Sequence, residues 1–187
     1  MADETPEFMP FRKVPRLSRT CTVTEKIDGT NASVFISEDG RMLAGCRTRW
    51  IYPGKATDNH GFAQWVEDNH EELLRLGPGM HFGEWWGGSI QRRYGVSYRK
   101  FSLFNTGLWS DPSRRPLCCD VVPVLYEGLF DGNRIADVLH ELRASGSVAV
   151  PGCMRPEGIM IYHHAAKVYF KKTLENDEKP KGSTEEG

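Results

Sequence analysis

Lys26 lies two residues before an Asp-Gly pair in the stretch TEKIDGTN, residues 24–31. A lysine flanking a tight turn is ordinary. Other charged residues, further along the chain, stand in less ordinary places. Glu84, in HFGEWWG, shares a strand face with Met80 and Phe82, and a carboxylate among large apolar side chains needs a partner or a ligand. Glu157 repeats the arrangement in EGIMIYHH, sharing a face with Ile159 and Ile161. Lys171 and Lys172 end a late apolar run, and Arg47 ends the run after the Lys26 stretch. Each alone reads as an ion pair or a strand-end charge. Together, and in this order along a strand-rich domain, they are much harder to dismiss as structural.

The elements that must position these residues can be read from periodicity. In TCTVTEKI, Thr20, Thr22, Thr24 and Lys26 face one way, and Cys21, Val23, Glu25 and Ile27 the other. ASVFIS and MLAGCR follow, separated by Asp28-Gly29 and Asp39-Gly40, strong hairpin signals that predict a meander. FAQWVEDNHEELLRLG and NRIADVLHELRASG predict helices, with Gly77 and Gly146 as stops. MHFGEWW, FSLFN, VVPVLYEG, EGIMIYHH and KVYFKK predict strands. Strands outnumber helices and adjoin in pairs, so the expected fold class is α+β, with mainly antiparallel sheets flanked by a few helices. Residues 9–176 form the expected domain. Residues 1–8 are expected to be disordered, and 177–187 to form a polar tail.

Bulk properties narrow the function classes. The formal net charge of −1 makes the molecule no polycation, so nucleic-acid affinity must come from local patches. The candidates are Arg12, Lys13, Arg16 and Arg19, then Arg92, Arg93, Arg99 and Lys100, with Lys179 and Lys181 in the tail. Five cysteines without C-x-x-C spacing read as free thiols in a reducing cytoplasm, with a zinc site at His163 and His164 as the less economical reading. No run resembles a signal peptide or reaches membrane-spanning length, so no membrane partner is expected.

In the order of its motifs the chain resembles the covalent nucleotidyltransferases, and most closely the ATP-dependent RNA ligases of the phage RNA ligase 2 type. EKIDGTN stands as the nucleophile motif, CRTR as the arginine motif and FGEWWG as the third. FSLFN resembles the aromatic motif, PEGIMIY the fourth, and VYFKKTLENDEKPKG the fifth. The resemblance runs from about Arg16 to Lys181, and Asn31 and the tail of the fifth motif favour an RNA ligase.

That resemblance implies a nucleotidyltransferase, ATP-grasp-like ligase domain and a three-step reaction. The enzyme takes AMP from ATP onto Lys26, passes it to an RNA 5′-phosphate, and seals to a 3′-OH. A free lysine amine, at a pKa of ~10.4, is protonated at neutral pH and needs cationic neighbours or desolvation to become nucleophilic. Lys171 would contact the α-phosphate, and Phe104 would stack on adenine. Glu84 would accept from a ribose hydroxyl, and Arg47 would contact the AMP phosphate or hold the reacting end. Glu25 and Ile27 would flank the nucleotide, and Glu157 would help position Mg²⁺ or Mn²⁺. Asp28 and Gly29 would shape the turn, Gly29 admitting close backbone approach to the nucleotide. Asn31 would orient groups in sealing.

Two departures from the family pattern stand out. Lysines on alternating residues are usual in the fifth motif, whereas Lys171 and Lys172 are adjacent and should point to opposite faces of a strand. Lys171 is the stronger candidate, with Lys172 a phosphate contact only in an irregular strand. Asn105 stands where relatives often carry an acid, weakening metal or ribose contacts. The chain ends soon after the fifth motif, so a further C-terminal domain is not expected and a partner protein could supply nucleic-acid contacts. The alternatives are a DNA ligase, a GTP-using capping enzyme, and a non-catalytic nucleotide- or RNA-end-binding module.

Overall fold

The computed structural model describes residues 7–92, 94–175 and 177–178. The expected disorder of residues 1–6, the tail from residue 179 with Lys179 and Lys181, and Arg93 lie outside the described residues. Within them, two sheets carry the architecture. A four-stranded sheet has the order β10-β9-β1-β8, from β1 (Thr20–Lys26), β8 (Val124–Leu129), β9 (Gly158–His163) and β10 (Val168–Thr173). A six-stranded sheet has the order β4-β3-β2-β5-β6-β7. Its strands are β2 (Thr30–Ile36), β3 (Met42–Cys46), β4 (Trp50–Ile51), β5 (Gly79–Gly87), β6 (Arg99–Leu103) and β7 (Cys119–Val121). All pairings are antiparallel except β6 with β7. The helices are α1 (Phe62–Asp68), α2 (His70–Leu73), α3 (Thr106–Trp109) and α4 (Gly132–Ser145). The class is α+β, as the sequence predicts.

Each sheet buries one face under helices, which is why its strands alternate. Ala32, Val34, Ile36, Trp85, Phe101 and Leu103 of the larger sheet pack with Phe62, Ala63 and Val66 of α1. In the smaller sheet, Cys21, Val23, Ile159 and Ile161 pack beneath Ile135, Val138 and Leu142 of α4. Asp131 begins α4 by accepting from the Arg134 N–H at 2.9 Å, and Gly146 ends it at φ 84°. A third cluster, Ile27, Trp86, Tyr94, Val122 and Val150, fills the junction between the sheets.

Three expectations need correction. The Asp28-Gly29 pair does not close a hairpin: β1 pairs with β8 and β9, whereas β2 pairs with β3 and β5, so residues 27–29 cross from one sheet to the other. Two-residue hairpins of the Asp-Gly type need positive φ, and neither residue has it, unlike Gly40 (φ 81°), whose Asp39-Gly40 turn does join β2 to β3. The first helix is broken at Asn69 (φ −112°, ψ 19°), whose side-chain amide donates to the Trp65 carbonyl at 2.8 Å and competes with the helix ladder. VVPVLYEG is not one strand. Pro123, lacking an N–H, separates β7 in the larger sheet from β8 in the smaller.

Candidate active site

Lys26 is the last residue of β1, where the chain leaves one sheet for the other. Its Nζ donates to Glu157 Oε2 at 2.6 Å, with the lysine side chain 20% exposed and the glutamate 8%. Strand alternation would put Glu157 on the Ile159 face, away from Lys26. Gly158 changes this: it pairs with Lys26 at the strand start, and its φ of 156° lets the preceding residue leave the strand path. A Cβ at Gly158 would collide with the Lys172 carbonyl, so this position is held to glycine by the neighbouring strand.

Glu84 approaches from the other sheet. Its Oε1 accepts from the Gly29 N–H at 3.0 Å. Burial pushes its pKa up to about 7, opposed by the Lys26 charge and the Gly29 hydrogen bond and reinforced by Glu157 and Asp28. Gly29 is crowded by β5 itself: a Cβ there would lie 2.5 Å from the Trp85 carbonyl oxygen and 2.7 Å from the Trp86 Cβ. The glycine therefore admits protein backbone, which is a different reason from the one the sequence suggested.

The crossover is pinned on both sides. The Asp28 N–H donates to Tyr94 Oη at 2.7 Å, and burial raises the Tyr94 pKa. Arg92 Nε lies 3.2 Å from Asp28 Oδ2, and its other nitrogens reach Glu175 Oε2 at 3.8 Å and the Arg155 carbonyl at 3.3 Å. Ile27 is buried in the junction cluster, against which Phe104 packs half-buried. Glu25 is 1% exposed and accepts from Ser147 Oγ at 2.6 Å and from the Val148 and Ala149 N–H groups at 2.8 and 2.9 Å. Its carboxyl is thus committed to the segment after α4, leaving only its main chain for a nucleotide.

The remaining candidates fall into place by register. Asn31 pairs with Glu84 across β2 and β5, so both side chains share a face. Arg47 is exposed just past β3, whose Cys46 pairs with Ala32, the neighbour of Asn31. Lys171 pairs with Met160, which pairs with Thr24, so Lys171 shares the Lys26 face. Lys172 pairs with Ile159 and through it with Glu25, on the opposite face. The strand is regular, so the condition for Lys172 as a phosphate contact is not met. Asn105 caps α3, its Oδ1 accepting from the Leu108 N–H at 3.2 Å.

Sequence reading missed Tyr94 as a support and saw Arg92 only as part of a basic cluster. Their contacts with Asp28 span more than sixty positions of chain, and no local pattern signals them. The zinc alternative finds no support: His163 is buried with its Nε2 2.7 Å from the Leu17 carbonyl, His164 lies 2.9 Å from Thr22 Oγ1, and among the described residues no three His, Cys, Asp or Glu converge. All five cysteines are free. No helix among the described residues is long and apolar enough to cross a membrane.

The comparisons speak to the family and the fold. A family profile described as RNA ligase matches residues 19–183. Solved structures of a Naegleria gruberi RNA ligase superpose on the chain. An apo variant does so with TM-score 0.63 at 20% identity, over 83% of this chain and 50% of that one. A variant with ATP and manganese gives 0.63 at 20%, over 84% and 50%, and one with AMP and manganese gives 0.64 at 19%, over 84% and 50%. The chain therefore spans about half the length of the solved structures it matches. No curated protein matches it by sequence.

Proposed function

Because the chain belongs to the RNA ligase family, we propose that it is an ATP-dependent RNA ligase in which Lys26 carries AMP covalently. The observation that carries this reading is the position of the Lys26 amine. It lies at the crossover between two sheets, 2.6 Å from Glu157, with Glu84 brought in from the facing sheet. In the first step Lys26 Nζ attacks the α-phosphorus of ATP, a P–N bond forms, and the bond to pyrophosphate breaks. The amine must shed a proton, and Glu157 Oε2, which already accepts from Nζ, stands where that proton would go. The RNA 5′-phosphate then displaces the lysine, and the 3′-OH displaces AMP to seal the strand.

Each neighbour has a part. Lys171, on the Lys26 face, would neutralise charge on the α-phosphate. Phe104 would stack on adenine from the junction cluster, and Glu84 would accept from a ribose hydroxyl. Arg47 and Asn31, together at one end of β2, would hold the reacting RNA end. A divalent cation, Mg²⁺ or Mn²⁺, would polarise the phosphate oxygens. The residues fit one held mainly through substrate and water oxygens, as Mg²⁺ prefers, with Glu157 as a protein ligand once its pairing with Lys26 loosens.

The test is covalent labelling. The protein is incubated with α-labelled ATP or GTP and Mg²⁺, denatured, and inspected for bound label. AMP on the wild type and none on Lys26→Ala is the expected result. GMP in its place would move the chain to capping chemistry, and an unlabelled wild type would leave a binding module. Competition between nicked RNA and nicked DNA for sealing separates the two ligase classes.

A further inference from the structure

The Lys26 face of the smaller sheet continues beyond the site just described. Across β1, β9 and β10 the next row is Thr24, Met160 and Lys171, and the row after it is Thr22, Tyr162 and Tyr169. The Tyr162 and Tyr169 ring centroids are 4.6 Å apart, and His164 lies 5.2 Å from Tyr162. Tyr169 is 57% exposed, and Lys171, His164 and Lys167 are exposed as well. The opposite face of β1 and β9 is packed beneath α4. A cross-strand tyrosine pair that only stabilised a sheet edge would need neither flanking cations nor the nucleophile's face. Of the acidic groups on this face, Glu157 is paired with Lys26, and Glu127 stands on β8 at the far side, where it accepts from Thr22 Oγ1 at 3.3 Å. The β9–β10 half thus combines aromatic rings with positive charge.

We propose that this strip, Tyr162 and Tyr169 flanked by Lys171 and Lys167, seats a single-stranded stretch of the RNA substrate leading to Lys26. The proposal rests on the RNA ligase reading and adds a substrate subsite to it. Bases stack on the tyrosines, and the backbone phosphates meet the two lysines, the combination by which proteins hold single strands. At ~3.3 Å per strand residue, the tyrosine row is ~13 Å from the Lys26 row. That separation is about four nucleotides of a stacked strand at ~3.4 Å each, so the platform holds RNA a few nucleotides from the reacting end.

The test measures binding of a fluorescent, 5′-phosphorylated oligouridylate to the full chain by anisotropy. Lysyl-AMP formation, which needs no RNA, is measured on the same preparations. Alanine at both tyrosines should weaken binding roughly tenfold or more, and phenylalanine at both should restore it. RNA affinity of the alanine variant equal to wild type overturns the platform, as does wild-type binding of a duplex that is tighter and indifferent to the tyrosines. Should the alanine variant also lose lysyl-AMP formation, photocrosslinking of a thiouridine-substituted oligonucleotide to the wild type decides. Crosslinks within residues 158–173 support the platform, and crosslinks confined elsewhere sink it. A wild type that forms no lysyl-AMP yet binds RNA through its tyrosines keeps the platform and removes the ligase reading, so the two fail separately.

Discussion

Glu157 Oε2 and Lys26 Nζ are 2.6 Å apart although 131 positions separate the residues. The pair joins the end of β1 to the start of β9 and fixes the amine in one direction. Glu157→Gln keeps the size and a hydrogen-bonding oxygen but removes the charge. The lysyl-AMP yield per unit time should fall roughly 10²-fold, the usual cost of losing a positioned proton acceptor. Rapid-quench labelling with ATP checks this. An unchanged rate would reduce Glu157 to a structural ion pair.

Glu84 makes stability depend on pH. Its folded pKa, about 7, lies above the ordinary value of 4.5, so the folded state binds the proton more tightly than the unfolded chain. The contribution is complete below the ordinary value and is lost as pH rises through the folded value; above that it is flat. Between pH 5 and 8 the wild type should therefore lose stability relative to Glu84→Gln, by an upper bound of about 3 kcal/mol. Denaturant melts of both proteins across this range measure the difference. Parallel curves would show that burial does not raise the Glu84 pKa.

Gly29 tests how tightly the crossover is packed. An alanine methyl would fall 2.5 Å from the Trp85 carbonyl oxygen and 2.7 Å from the Trp86 Cβ, and backbone cannot swing aside as a long side chain can. Gly29→Ala should cost about 1–3 kcal/mol by overpacking and weaken lysyl-AMP formation, since Lys26 precedes it by only three residues. Gly132→Ala is the control: it begins α4, has nothing within 4 Å of its Cβ and has no positive φ. It should be neutral or stabilising by up to ~1 kcal/mol. Thermal melts of the two variants give the comparison.

What the sequence made legible was what depends on local period and local chemistry. Period two placed Lys26 opposite Glu25, and the adjacency of Lys171 and Lys172 already implied opposite faces. What it hid was the partner of each strand. Asp28-Gly29 carries a hairpin signature, but the chain crosses between sheets there and Ile27 is buried in the junction cluster. Glu25 was legible as sharing the face of Cys21, Val23 and Ile27; its hydrogen bonds with residues 147–149 depend on where α4 ends, which no local window contains. Tyr94 and Arg92 were hidden for the same reason.

The fifth-motif lysines supply the sharpest division. Lys171 shares the Lys26 face and Lys172 does not, although both are exposed and both are cations. A general effect of positive charge would make the two substitutions equivalent, because exposed charges one residue apart contribute similar screened potentials at a distance. A directed phosphate contact separates them. Lys171→Ala should lower the rate of lysyl-AMP formation roughly 10²-fold or more, in line with loss of one donor aimed at developing charge. Lys172→Ala should stay within a few-fold of wild type, the range expected of a solvent-screened charge. Lys171→Arg keeps the charge but replaces a point donor with a planar fork, so partial activity is expected. Single-turnover labelling of the three variants at two salt concentrations reads the division. Equal losses that vanish at high salt would mean that the face of the strand is irrelevant and only net charge matters.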